Sequence, residues 1–316
     1  MWRFNVMVEV QMYGHTFETD VSEVTDLLYK HRPFVYTHFS EPCGPCAVEF
    51  MMQHADLIKR IDGGVDEMVG DKPLGFDELD SHNTAEYYQN LDNSYRQSGA
   101  GDNVLYCRGT VDSGHAFLQY WHFEPSSCLP EAVDPWHEGD WEMMQIAVRL
   151  DQSVKDFVPF TVTASQHYYG QTIRWDEIGN GPSSQGQDYV GKSVHRPYIH
   201  VAVDSHATYF RNGYFRCPLT GGSSNHGLQY VDAPNAFPIL DANTGSNYYS
   251  YDMRTFHNSM ISSWYGRWGE DAWILGSGDG PRSPWFRQTA KWIWQDPKGF
   301  NNYYTKSSHE LETKIP

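Results

Sequence analysis

From Val104 the chain reads Val104-Leu-Tyr-Cys-Arg-Gly-Thr-Val111, then His115-Ala-Phe-Leu-Gln-Tyr-Trp-His-Phe123, then Asp140-Trp-Glu-Met-Met-Gln-Ile-Ala-Val-Arg-Leu150. Each run is short, alternating and rich in aromatic or β-branched residues, and turn residues such as Asp112-Ser-Gly114 separate them. Three more follow: Pro159 to Tyr169, Thr172 to Ile178 and Arg196 to Phe210. This spacing predicts a mainly β fold, a two-sheet antiparallel β-sandwich with a few peripheral helices and long loops.

Working outward, two segments read as helix. Ser22 to His31 opens on a Ser cap with Val24, Leu27 and Leu28 at helical spacing, and Ala47 to Ile61 repeats apolar residues every three to four positions. Pro33 to Phe39 between them reads as a strand. Residues 62–103 are acidic and weakly periodic and predict a long loop. Residues 217–260, rich in Gly, Ser, Asn and Pro, predict an ordered loop of the kind that serves as a functional lid. The expected organisation is one domain over 1–316: a helix-containing segment 1–61, an acidic loop 62–103, a β-sandwich core 104–298 and a tail 299–316.

Composition narrows the function. With 23 Lys and Arg against 40 Asp and Glu the net charge is −17, which argues against nucleic-acid or anionic-membrane surfaces. Apolar residues at 40% and aromatics at 15% are enough for a large core. No apolar run of 18 or more residues marks a transmembrane segment, and residues 1–20 lack the basic and apolar regions of a secretion signal. Five cysteines, Cys43, Cys46, Cys107, Cys128 and Cys217, fit a reducing compartment, so a cytoplasmic location is expected.

The chemistry concentrates in Trp136-His-Glu-Gly-Asp-Trp-Glu142. On a strand from Asp140 to Leu150, Asp140, Glu142, Met144, Ile146, Val148 and Leu150 share one face. Carboxylates on an apolar face need a cation, a basic partner or several donors. Gly139 permits a turn that could bring the His137 imidazole to the same place. His137, Asp140 and Glu142 are therefore candidate ligands for a divalent metal ion (Ca, Mg, Mn or Zn), with Asp140, Glu142, His167 and His206 as candidate catalytic groups. Both latter histidines stand where an apolar strand ends. The structural alternative is that the carboxylates pair with Arg or Lys and the histidines cap turns. Trp121, Trp136, Trp141, Trp264 and Trp268 are a candidate aromatic wall.

His137-Glu-Gly-Asp-Trp-Glu142, with Leu118 to Phe123, Ser165-Gln-His167, Arg196 to Phe210 and Trp264-Tyr-Gly-Arg-Trp-Gly269, resembles the vacuolar protein sorting-associated protein 62 family. The opening Arg32 to His38 and Val48 to His54 are similar to that family too. The likeness implies a fold more than a reaction. The His-x-x-Asp-Trp-Glu core, here His137, Asp140, Trp141 and Glu142, also resembles the heptapeptide of necrosis-inducing, cytolysin-type toxins, which implies a divalent cation held in a β-sandwich. Gly139 stands where the toxins carry a second His, and their secretion and disulfides have no counterpart in this sequence.

Pro42-Cys-Gly-Pro-Cys46, between a strand and a helix, is a local copy of the thioredoxin signature, though no βαβ continuation follows. His38 and His54 read as turn and helix-surface residues, and Arg267 as part of a packed corner. The Gly-rich run at 276–281 lacks the Lys-Ser/Thr of a phosphate loop. The leading expectation is an intracellular enzyme, biosynthetic in type, that works on a small apolar or glycosidic substrate by acid/base or metal-assisted chemistry. A lectin-like or cytolysin-like module binding glycan or lipid is the alternative, a thiol redox protein through Cys43 and Cys46 the second. A trafficking accessory role follows from the family name alone.

Overall fold

A computed structural model of the chain describes residues 21–36, 44–95, 102–112, 114–127, 137–154, 156–166, 169–180, 191–192, 195–202, 206–210, 215–218, 229–232, 252–270, 280–286 and 291–304. In chain order the elements are α1 (Val21–His31), β1 (Phe34–Tyr36), α2 (Val48–His54), β2 (Ala55–Lys59), β3 (Glu67–Gly70), α3 (Phe76–Ser81), β4 (Tyr87–Leu91), β5 (Val104–Asp112), β6 (His115–Ser127), β7 (His137–Asp151) and β8 (Asp156–Gln166). There follow β9 (Tyr169–Arg174), β10 (Gly179–Asn180), β11 (Gly191–Lys192), β12 (Tyr198–Val201), β13 (Thr208–Tyr209), β14 (Phe215–Pro218), β15 (Gln229–Asp232), β16 (Asp252–Thr255), α4 (Ser259–Ser263), α5 (Lys291–Gln295) and α6 (Pro297–Tyr304).

The fold is mainly β, with a six-stranded sheet ordered β16-β5-β6-β7-β8-β9 at its centre. Its strands from β5 to β9 are antiparallel neighbours in sequence, and β16 joins β5 in parallel. Smaller sheets, β1-β12-β13 and β3-β2-β4, and the pairs β10-β11 and β14-β15 complete it.

Alternation along β7 sorts the core into two layers. Met144, Ile146 and Val148 join Leu118, Tyr120, Val162 and Ala164 under α1, with Val24, Leu27 and Leu28 and with Ile199 of β12. Trp121, Trp141 and Met143 face the other way, toward α2, β2, β4 and the Trp264–Trp268 corner. A bulge between Ala147 and Val148 in the β7–β8 register precedes Leu150, which is exposed although strict alternation would bury it.

Several expectations need correction. The helix expected over Ala47 to Ile61 ends at His54, and Ala55 to Lys59 pairs as β2 with β4. The stretch 62–103 is no plain loop, since β3, α3 and β4 lie in it. Thr172 to Ile178 is strand only to Arg174, and a short 3-10 turn of Trp175–Glu177 follows. Within 217–260, β15, β16 and the start of α4 are ordered structure; 219–228 and 233–251 lie outside the described residues. Among the described residues no helix is long and apolar enough to cross a membrane.

Candidate functional site

The site is the polar end of the face that α1 covers. Moving along β6 the inward positions are Leu118, Tyr120, His122 and Glu124, and the register sets His122 opposite Glu142 and Glu124 opposite Asp140. Three carboxylates thus occupy neighbouring positions on two strands, and all three are buried. Burying them demands donors. His122 Nδ1 lies 2.6 Å from Glu124 Oε1 and donates to it, and the Ser165 hydroxyl donates to Glu142 Oε2. His206 brings Nδ1 to 3.2 Å from Asp140 Oδ2.

His206 reaches this position with a left-handed backbone, φ 54°, while Ala202 N donates to Ala207 O and His206 N to Ala202 O. A left-handed backbone at a non-glycine residue costs free energy and persists where surroundings enforce it. Here Thr208 Oγ1, 2.6 Å from Ser165 O and 3.1 Å from Met143 O, ties β13 to the middle of β7 and the end of β8.

Among the residues expected from sequence, Asp140, Glu142 and His206 are brought together. His137 is not part of their set: its Nδ1 donates to Gly139 O at 2.7 Å. Gly139 has a positive φ, 66°, and a side chain there would collide with Trp268 O. That kink breaks the alternation, so Glu138 points to the opposite layer, where Oε2 accepts from Leu91 N and Glu270 N. Among the described residues no group of three or more His, Cys, Asp or Glu is arranged to hold a metal ion. His167 lies outside the described residues.

Two cluster members, His122 and Glu124, were not expected. Their signal is the same period-two alternation that buries Leu118 and Tyr120. They also carry buried atoms, His122 Nε2 and Glu124 Oε2, with no hydrogen-bond partner among the described residues.

The expected aromatic wall is elsewhere. Trp121, Trp141, Trp264 and Trp268 are fully buried in the opposite core layer, because they occupy the odd positions of the strands and the corner packed on them; Trp136 is not described. Arg267 belongs to that corner, donating from Nη1 to Gly280 O while its backbone bridges Tyr87 and Gln89. His54 stacks on Tyr95. Cys46 is fully buried and Cys43 is not described, so the exposed thiolate that exchange chemistry needs is not offered by Cys46.

No family model and no curated protein matches the chain, so the vacuolar protein sorting-associated protein 62 resemblance is unsupported. Solved structures similar to it are toxin-fold proteins. One is the non-toxic HaNLP3 protein, 12% identical, with 79% of this chain and 81% of that one covered and a TM-score of 0.35. Another, described as a toxin fold for microbial attack and plant defense, is 11% identical over 78% and 80%, with a TM-score of 0.36. A third, NLPPya in complex with mannosamine, is 13% identical over 77% and 89%, with a TM-score of 0.30. Likeness at that level carries no functional argument.

Proposed function

We propose that the chain is a binding protein whose strand-end cluster of His122, Glu124, Asp140, Glu142 and His206 holds the polar part of a glycan or a lipid headgroup. One observation carries this reading: buried carboxylates and imidazoles share a strand end, and Asp140 and Glu142 are already engaged by His206 and Ser165. Carboxylates fixed by hydrogen bonds are suited to receiving a ligand's hydroxyl or ammonium groups. A general acid and base would have to exchange protons during turnover. A second reading, an acid/base enzyme, is favoured by the left-handed His206 with its Nδ1 on Asp140, since strained residues gather at catalytic centres.

Wild-type and Glu142→Gln proteins separate the two. The amide can still accept from Ser165, so the fold is kept. Calorimetric titration with sugars and flotation with lipid vesicles should show binding to wild type that the variant loses, with no sugar or lipid converted in either sample. Conversion by wild type that the variant abolishes would establish the enzyme. The divalent cation is tested separately by adding Ca²⁺, Mg²⁺, Mn²⁺ or Zn²⁺: a rise in unfolding temperature in wild type that Asp140→Asn removes would establish metal binding at the cluster.

A further inference from the structure

We infer that the outer edge of β3 takes up a short, extended, basic segment of another protein as an added strand. None of its residues belongs to the strand-end cluster, so the inference stands apart from the binding reading above. β3 is a terminal strand of the sheet β3-β2-β4. The other terminal strand, β4, has its outer edge taken: Gln89 N donates to Arg267 O, and Arg267 N to Tyr87 O. β3 pairs with β2 on one side, and among the described residues nothing pairs with it on the other. Such an edge offers a row of N–H and C=O groups to an approaching strand. Edges are commonly guarded by Lys or Pro, and Glu67-Met-Val-Gly70 carries neither. Val69 is the extra residue of a bulge against β2, which sharpens the local twist and suits a short partner over a long flat one.

The surroundings of this edge are apolar and negative. Every residue from Ile61 to Met68 is exposed, with Val65 at 88% and Met68 at 59%. Asp62, Asp66, Glu67 and Asp71 fall in the stretch 61–71, which has no Lys or Arg. Asp66 is engaged, accepting from Ile61 N and Tyr88 Oη. Of the cations beside the hairpin, Lys72 lies 3.3 Å from Asp56 Oδ2, Arg60 stands over the Tyr88 ring, and Lys59 is the cross-strand neighbour of Glu67. The exposed Asp62 and Asp71 keep the edge negative. A basic partner answers that charge, whereas a second copy of the same edge would double it. An added strand alternates its side chains, so the fitting segment sets Lys or Arg toward the carboxylates and an aliphatic residue beside Met68.

The probe is the peptide acetyl-Lys-Val-Lys-Val-Lys-Val-amide, offered to the full chain with two controls. One has Glu in place of Lys. The other is the Lys peptide N-methylated at every backbone nitrogen, which keeps the charge and donates no backbone hydrogen bond. In calorimetric titration at low salt the Lys peptide should bind roughly tenfold or more tighter than either control. Hydrogen exchange read by mass spectrometry should slow in 67–70 on binding and stay unchanged in β4, whose edge is already paired. Glu67→Lys, at an exposed position, should weaken the peptide roughly fivefold and leave the urea midpoint in place. Equal binding of the N-methylated peptide would reduce the effect to charge attraction and overturn the strand addition, as would unchanged exchange in 67–70 or no binding at millimolar peptide. Equal binding of the Glu peptide, or of the Lys peptide by Glu67→Lys, overturns the basic partner. Exchange in 67–70 that slows with rising protein concentration alone would give the edge to a second copy, and the proposal falls.

Discussion

Glu138 is a buried carboxylate that accepts from two backbone N–H groups. Its Oε2 accepts from Leu91 N at 2.7 Å and from Glu270 N at 3.1 Å, so one side chain ties the start of β7 to the end of β4 and to the Trp268 corner. Glu138→Ala strands both N–H groups and should cost about 3 kcal/mol, while Glu138→Gln, which still accepts, should cost about 1 kcal/mol. Urea unfolding at neutral pH measures both, and an alanine variant within about 0.5 kcal/mol of wild type would show that the tie is dispensable. The same residue marks the limit of what alternation reveals. Asp140 and Glu142 are legible from period two alone, and His206 from its place after an apolar strand. Glu138, with the same parity, faces the other way because Gly139 has positive φ, and Trp268, from far along the chain, packs where a side chain at Gly139 would lie. His122 and Glu124 show the complement. Their inward direction is written in the run from His115, but their bearing on the site comes only from the register that places them opposite Glu142 and Asp140.

At the scale of elements, pairing overrides local periodicity. Ala55 to Lys59 carries apolar residues at helical spacing, yet it is a strand because β4 lies beside it in unbroken register from Ala55 with Leu91 to Lys59 with Tyr87. The partner is Tyr87–Leu91, in a stretch too polar to announce itself, so neither strand is visible without the other. The C-terminal helices are equally silent in sequence: Ile293, Trp294 and Phe300 join the core layer of Trp121 and Trp141, and the rest of what docks them is polar. Gln119 and Gln145 donate to the carbonyls of Ile293 and Pro297, and Asn301 Oδ1 lies 2.6 Å from Thr161 Oγ1 and 3.2 Å from Thr163 Oγ1. A face of Gln and Thr reads as solvated until α5 and α6 cover it. Asn301→Ala should therefore cost about 2 kcal/mol and speed amide exchange in β8 and β9, which the helix shields, with little change in α1. Exchange that rises equally in α1 would mean that α6 is integral to the whole core and not a separately docked cover.

For the whole molecule, acid stability follows from imidazoles buried as neutral groups. His31 is fully buried at the end of α1, its Nδ1 2.9 Å from His195 O, and burial pulls its pKa from 6.5 down to about 4. Burial lowers His200 of β12 to about 4 as well. Each is held neutral by the fold while the unfolded chain takes up a proton near pH 6.5, so the unfolded state binds more protons as pH falls below that value. Stability is then fully present above about pH 6.5, declines as pH drops toward 4, and stops falling on this account once the folded histidines protonate as well. The loss should be on the order of 2–3 kcal/mol for each residue. Asp92, Asp151 and Asp156 lie below the usual carboxylate range, first through hydrogen bonds from Ser94, Ser153 and Lys30, so their contribution is lost only at lower pH. Urea unfolding at pH 7, 5.5 and 4 should give a free energy that falls steadily across the series. His31→Gln, whose amide can replace the bond to His195 O, should flatten that slope by about half, and adding His200→Gln should remove most of the rest. A double variant that keeps the wild-type slope would move the acid sensitivity to other groups, and the first to examine would be the strand-end cluster with its two further buried imidazoles, His122 and His206.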